Sequence, residues 1–397
     1  MELVDIRHLK CRELFCSCGF DSHPRHMSIS GTISRGVYNN IFKPYFFSKD
    51  PEFVHDEITK IAKLLGSSHL ARSVIKHFYS FEDPTLEQEY WGIKFINPIG
   101  LPAGFDKNAE SYKVMGPLGF GYCDVGTVTF EPYAGNPKPR LVRLPKSEAI
   151  LVNYGLKNDG AKVVVDRLKQ HKTDIPLVVS IGKTNSPKTV DRDLGILDYY
   201  NCLKFFVEAD LGDIYEINIS CPNTFGGEPF TNKDDLELLL EKLYSLPITK
   251  PVFIKMPIEL DTQNMEELLS ICLNFKVEAV ILGNLRKQKR GDGVIDNFDP
   301  NLSGGLSGKP TEKISNERIS EAYKYCGDKL KIIGVGGIFS AADAYKKICL
   351  GASLVGLISG LIYEGPQLVS EINRGLVYYL KRDGFKNISQ AIGSAYK

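Results

Sequence analysis

The chain has 397 residues, of which 43% are hydrophobic and 24% charged. That is ordinary globular composition, enough for a large core, and it excludes collagen-like, disordered and disulfide-scaffold classes. The 49 Lys and Arg against 48 Asp and Glu leave a net charge of +1, which offers no bulk attraction to nucleic acid, and no apolar run is long enough to span a bilayer.

Residues 1–35 show no sustained periodicity. Their acids (Glu2, Asp5, Glu13, Asp21) argue against a mitochondrial presequence, and no apolar stretch suits a secretory signal. A flexible leader or N-terminal segment is expected. Cys16 and Cys18 stand near His23 and His26, but the nine cysteines contain no CxxC pair and no zinc-ligand spacing. No metal site is expected, and most of the cysteines should be small core residues in a reducing compartment.

Residues 36–82 read as a helical hairpin. Asp50-Pro51 is an N-cap followed by proline at the first helical position. Val54, Ile58, Ile61 and Leu65 then share one face, with Gly66 as the stop, and Leu70, Val74, Ile75 and Phe78 mark a second helix. Its apolar face either packs on the following domain or forms a mouth for an apolar ligand or a membrane surface.

From residue 83 onward the pattern changes. Eight short apolar runs (97–103, 123–128, 177–181, 214–219, 251–256, 278–282, 331–335 and 353–358) alternate with amphipathic stretches at 161–170, 197–208, 234–245, 264–274, 314–325 and 340–349. Near-continuous apolar strands between helices indicate a parallel sheet covered on both faces. Eight of them predict a (β/α)8 TIM barrel, with an open doubly wound sheet as the rival.

In a barrel the active groups follow the strands. Ala103-Gly104-Phe105-Asp106-Lys107, Gly126-Thr127, Ser180, Asn218-Ile219-Ser220-Cys221-Pro222-Asn223, Lys255, Gly283-Asn284, Gly336-Gly337 and Ile358-Ser359 all fall there. A lysine inside an apolar strand, as at Lys255, is costly without an anionic partner. Glycines after the seventh strand and Ser359-Gly360 after the eighth suit a phosphate held by backbone N–H groups. The segment 301–310 has a GK ending but no preceding strand, which rejects a triphosphate loop and favours a loop folded over a cofactor. The basic run 286–290 reads as a solvated surface loop.

These motifs resemble the dihydroorotate dehydrogenase family, and in particular its quinone-using class 2. The resemblance rests on NPIGLPAGFDKNAE (97–110), GFGYCDVGTVT (119–129), GNPKPRLVRL (135–144), INISCPNTFGG (217–227), GGLSGKP (304–310) and IIGVGGIFSAADAYKKICLGASLVG (332–356). It implies FMN, oxidation of (S)-dihydroorotate to orotate in pyrimidine biosynthesis, and electrons passed on to quinone. Hydride would leave C6 for flavin N5 while Cys221 takes the C5 proton. Ala103, Gly104, Thr127, Ser180, Asn218, Lys255, Gly308, Gly336, Gly337, Ile358 and Ser359 would meet the cofactor. Lys107, Asn153, Asn218, Asn223 and Asn284 would bind substrate. The hairpin would form a quinone tunnel on a membrane surface, giving peripheral attachment to a bacterial or mitochondrial inner membrane, with a cytoplasmic location as second choice.

The chain also departs from class 2. Cys221 stands where serine is usual and matches the soluble class 1 enzymes; a thiol is the more acidic base, tunable downward by a nearby Lys. Asn153 matches the family pattern only with a gap, Ser180 replaces an asparagine, Gly283-Asn284-Leu285 replaces a TNTT-like run, and Ile358 replaces a tyrosine. A soluble acceptor such as fumarate or NAD, another dihydropyrimidine as substrate, or a non-catalytic flavin-binding barrel are the alternative readings.

Overall fold

The computed structural model describes residues 29–169, 173–291 and 293–397. The Cys16, Cys18, His23 and His26 group lies outside them. Helix α1 (Ile29–Val37) starts inside the segment expected to be flexible, and Arg35 on it forms ion pairs with Glu364 and Glu371, which tether it to the C-terminal part of the chain. A π-helical turn over Tyr38–Phe42 leads to α2 (Lys43–Phe47), then α3 (Pro51–Ser67) and α4 (His69–Tyr79).

Asp50 caps α3 as expected, its carboxylate accepting from Phe53 N at 2.8 Å. Gly66 does not stop the helix. It allows close approach to the barrel, since a Cβ there would stand 3.1 Å from Lys113 Cβ. The helix ends at Ser67, and the side chain of the next residue, Ser68, caps α4 by accepting from Ala71 N. The packed face also differs from the apolar spacing. Glu52, Thr59, Ala62 and Gly66 are the buried residues of α3, whereas Ile61 (51%), Leu64 (71%) and Leu70 (75%) are exposed.

A hairpin of β1 (Gln88–Tyr90) and β2 (Ile93–Phe95) places Trp91 5.1 Å from the Phe253 ring. The closed parallel barrel comprises β3 (Ile99–Asp106), β4 (Tyr122–Val128), β7 (Leu177–Ile181), β8 (Ile214–Asn218), β9 (Val252–Met256), β10 (Ala279–Leu282), β12 (Lys331–Val335) and β13 (Leu354–Gly356). All eight expected strands are in it, and every strand pair is parallel. Helices α5 (Ala161–Leu168), α6 (Arg192–Glu208), α7 (Lys233–Leu243), α8 (Thr262–Asn274), α9 (Glu312–Cys326) and α10 (Ala341–Cys349) lie near the expected positions. Val125, Val179, Ile217, Ile254 and Val280, with the inner faces of these helices, form the core.

Apolar patterning does not reveal two further groups of elements. Strands β5 (Leu141–Leu144), β6 (Ala149–Val152) and β11 (Gly305–Gly308) make a separate antiparallel sheet. Helices α11 (Ser359–Glu364), α12 (Leu368–Asp383) and α13 (Ile388–Ala391) close the chain. Arg286 is buried rather than solvated, because it donates to the carbonyls of Gln288, Pro310 and Arg290 and so ties the 286–291 turn to β11's exit.

Candidate active site at the strand ends

Two connected cavities open at the C-terminal ends of the barrel strands. One, of about 550 Å³, is lined by Ala103, Ser307, Gly308, Gly336, Gly337 and Ser359 among others. The other, of about 960 Å³, is lined by His55, Phe105, Lys107, Tyr154, Cys221 and Asn223 among others. Lys255, Asn284 and Ile358 border both. The β5–β6–β11 sheet supplies Leu141, Val152 and Ser307 to the walls, so a loop folded over the site, expected at 301–310, is in fact a paired strand.

The glycine-rich rim is built for close approach. Gly336 and Gly337 have φ of 114° and 71°, and a Cβ on Gly337 would lie 2.5 Å from Glu312 Cα. The main chain there is bare, and Thr311 and Ser359 stand beside it. Such a rim can take a phosphate, and the stretch from Ala103 to Lys255 leaves room for a flat ring system.

The larger cavity carries the groups for proton transfer. Cys221, on the loop after β8, is half-buried. Burial pushes its thiol up to about 11, opposed by a backbone hydrogen bond from Asn223 and by the charges of Lys255 and Lys183. The sequence predicts a thiol tuned downward; desolvation outweighs the lysines instead. Across the cavity, burial and the charge of Lys157 lower Lys107 to about 8. Its ammonium sits 2.9 Å from His55 Nε2 and 4.0 Å from the centre of the Tyr154 ring. Glu52, beside them on α3, is paired with Arg140 at 2.9 Å and Lys157 at 3.1 Å.

Beneath the floor runs a polar chain. Asn218 Nδ2 donates to Thr127 Oγ1 at 2.7 Å, Thr127 and Ser180 hydroxyls are 2.8 Å apart, and Ser180 donates to Glu216. Lys255 Nζ lies 3.7 Å from the same Glu216 oxygen. The anionic partner that a buried strand lysine demands is therefore Glu216. A thiol and a cation lining one cavity, with a bare main-chain rim on the adjoining one, together suit removal of a proton from a small anionic ring beside a phosphorylated cofactor.

The family model described as dihydroorotate dehydrogenase matches residues 85–380. The chain belongs to the dihydroorotate dehydrogenase family. It is 33% identical over 380 residues to a protein of Trichodesmium erythraeum named dihydroorotate dehydrogenase (quinone), covering 91% of this chain and 99% of that one. A protein of the same name from Haloarcula marismortui is 35% identical, covering 89% and 98%. The crystal structure of DHODH from Eimeria tenella in complex with ferulenol has a TM-score of 0.77 at 29% identity, covering 87% of this chain and 95% of that one.

Within this family member, fourteen of the sixteen residues read from the sequence line one cavity or both. Two do not. Asn153 is buried and accepts from Asn136 Nδ2 at 3.0 Å, while its neighbour Val152 faces the cavity. Asn153 directly follows β6 and continues its alternation, in which successive side chains point to opposite faces and Ile150, Val152 and Tyr154 take the cavity side. Ser180 stands below the cavity wall, bonded to Thr127 and Glu216. The residues sequence reasoning missed are His55, Tyr154, Lys157, Ser307, Asp124 and Glu216. His55 was concealed on an apolar-looking helix, and the acids lay within runs counted only as strand.

Proposed function

We propose that this chain oxidises (S)-dihydroorotate to orotate in pyrimidine biosynthesis, with FMN as its bound cofactor and a quinone as final acceptor. The observation that carries this is a pair of adjoining cavities that share Ala103, Lys255, Asn284 and Ser359, one lined by the glycine rim and the other by Cys221 and Lys107. FMN, when bound, supplies the two-electron acceptor for the hydride leaving C6 of the substrate. Gly308, Gly336, Gly337 and Ser359 would hold its phosphate side; Ala103, Gly104, Thr127, Asn218 and Lys255 would line its ring. Three glycines with φ of 97°, 114° and 71° leave bare main chain along that cavity wall, which supports the fit.

The chain's own residues do the rest. The Lys107 ammonium binds the substrate carboxylate, and the amides of Asn223 and Asn284 bind the ring. Cys221, as thiolate, takes the C5 proton. Lys255 offers positive charge where negative charge gathers. Ile358, which borders both cavities, brings no hydroxyl of its own to the acceptor, and the hydroxyls shared by the two cavities are those of Ser307 and Ser359.

The exposed apolar residues of α3 and α4 support docking of the hairpin on a membrane surface, with quinone reaching the cavity past His55 and Ile362. Among the described residues no helix is long and apolar enough to cross a membrane, so attachment would be peripheral. Orotate formation by FMN-loaded protein, with a ubiquinone analogue, fumarate and NAD⁺ offered separately, tests the reading. Turnover sustained by the quinone is expected. Faster turnover with fumarate or NAD⁺ overturns the acceptor, and no orotate with any of them overturns the reaction.

A further inference from the structure

Two carboxylic acids are buried side by side below the cavity, and the chemistry above uses neither. Asp124 on β4 is 2% exposed and Glu216 on β8 is 0% exposed. Asp124 Oδ2 accepts from Ala103 N at 3.0 Å. Glu216 Oε1 accepts from Ser180 Oγ and lies 3.7 Å from Lys255 Nζ. Their remaining oxygens, Asp124 Oδ1 and Glu216 Oε2, are buried with no hydrogen-bond partner among the described residues.

No donor among the described residues reaches the free oxygen of either acid, and the charge of Glu216 acts on Asp124. Two ionised carboxylates are acceptors only, so a proton on one of them is the donor this site lacks. Charge balance demands the same. Among the described residues a single ammonium, Lys255, faces the pair from β9; Ser180 faces it from β7, and the Tyr122 phenol stands close on β4 with its hydroxyl donated to Val355 O. Two anions against one cation, out of water, would leave an uncompensated buried charge. Burial and the charge of Glu216 hold the Asp124 carboxyl well above the usual carboxylate range.

We propose that Asp124 and Glu216 act as one acid pair with a single shared proton and a single negative charge, the counter-ion that positions the Lys255 ammonium at the cavity floor. They are positioning residues, since neither lines the cavity. The consequence is redundancy. When one acid becomes an amide, the other ionises and the charge is kept; only loss of both strips Lys255 of its partner. The effect on the cofactor rests on the flavin reading, whereas the acid pair itself does not.

The test uses the full chain and the variants Asp124→Asn, Glu216→Gln and the double. Infrared difference spectra at neutral pH should show a protonated-carboxyl C=O band in the parent, sensitive to D₂O, that disappears in each single variant. Its absence from the parent, or its survival in both single variants, overturns the pair. With FMN bound, the ratio of reduced to oxidised flavin affinity should stay within about threefold of the parent in each single variant. It should move at least tenfold in the double, about 30 mV for a two-electron couple. Single-variant shifts that simply add up to the double overturn the redundancy. A chain that retains no flavin overturns the cofactor reading instead, and the infrared band still decides the pair, even if the double variant does not fold.

Discussion

His55 Nε2 lies 2.9 Å from Lys107 Nζ, so a side chain of the N-terminal hairpin holds the ammonium that faces the cavity. Burial first, then the charges of Lys107 and Lys157, keep His55 well below its ordinary pKa, so the ring is neutral and accepts from the lysine. A neutral acceptor holds the ammonium in place without satisfying its charge, which leaves Lys107 free to pair with a substrate carboxylate.

That arrangement sets how dihydroorotate binding responds to mutation. Lys107→Met removes a charged hydrogen bond, and KM for dihydroorotate should rise roughly 10- to 100-fold. His55→Ala removes only a neutral bond to Lys107, so KM should rise by about 3- to 10-fold with kcat less affected. Steady-state kinetics with the acceptor saturating read both. Equal KM in all three proteins would place the carboxylate elsewhere.

The sign of the pH effect follows from Lys107 being lowered to about 8. Below that pH the ammonium is charged and binds a carboxylate; above it the charge is lost. KM for dihydroorotate should therefore rise as pH increases past about 8 in the parent and stay flat in Lys107→Met, as measured across the neutral and alkaline range.

Cys221 responds in the opposite sense. Its thiol is raised to about 11 by burial, so the thiolate fraction grows with every step upward in pH below that value. The flavin-reduction rate at saturating dihydroorotate, followed by stopped-flow absorbance, should climb across the neutral and mildly alkaline range. Cys221→Ala should lower it roughly 10²- to 10⁴-fold with FMN retained. Near-normal reduction by that variant would remove Cys221 from proton transfer.

Gly337 tests the phosphate rim. Its φ of 71°, and the 2.5 Å that would separate an added methyl from Glu312 Cα, mean that Gly337→Ala must shift the loop or the start of α9. A left-handed non-glycine residue alone costs about 1–2 kcal/mol. FMN affinity, measured by the flavin retained through gel filtration, should fall about tenfold, while the far-UV spectrum of the barrel is kept.

The exposed faces of α3 and α4 predict the last effect. Leu64→Glu with Leu70→Glu should weaken binding to anionic vesicles and slow reoxidation by a long-chain quinone. Reduction of the flavin by dihydroorotate should be unchanged, because both residues point away from the cavity. Unaltered vesicle binding would deny the hairpin a membrane role.

The barrel was legible because each strand is apolar on both faces and its polar residues gather after it. Thus Lys107, Cys221, Asn223 and Asn284 could be placed at one end from the order of residues alone. Asn153 could not, since one step along β6 exchanges the two faces and Val152 takes the cavity side. The hairpin's packing was hidden for a related reason: α3 approaches the barrel through Glu52, Thr59, Ala62 and Gly66 along with Ile58, whereas Ile61 and Leu65 of its apolar spacing turn outward. Asp124 and Glu216 were invisible because nothing local marks an acid whose partner stands on the neighbouring barrel strand, Ala103 N on β3 for one and Lys255 on β9 for the other.

The most direct test of the whole account is anaerobic addition of dihydroorotate to the FMN-loaded protein while the flavin absorbance is recorded. The account predicts that one equivalent bleaches the flavin, releases orotate, and that a quinone analogue restores the colour. A flavin that stays oxidised under excess dihydroorotate would contradict it.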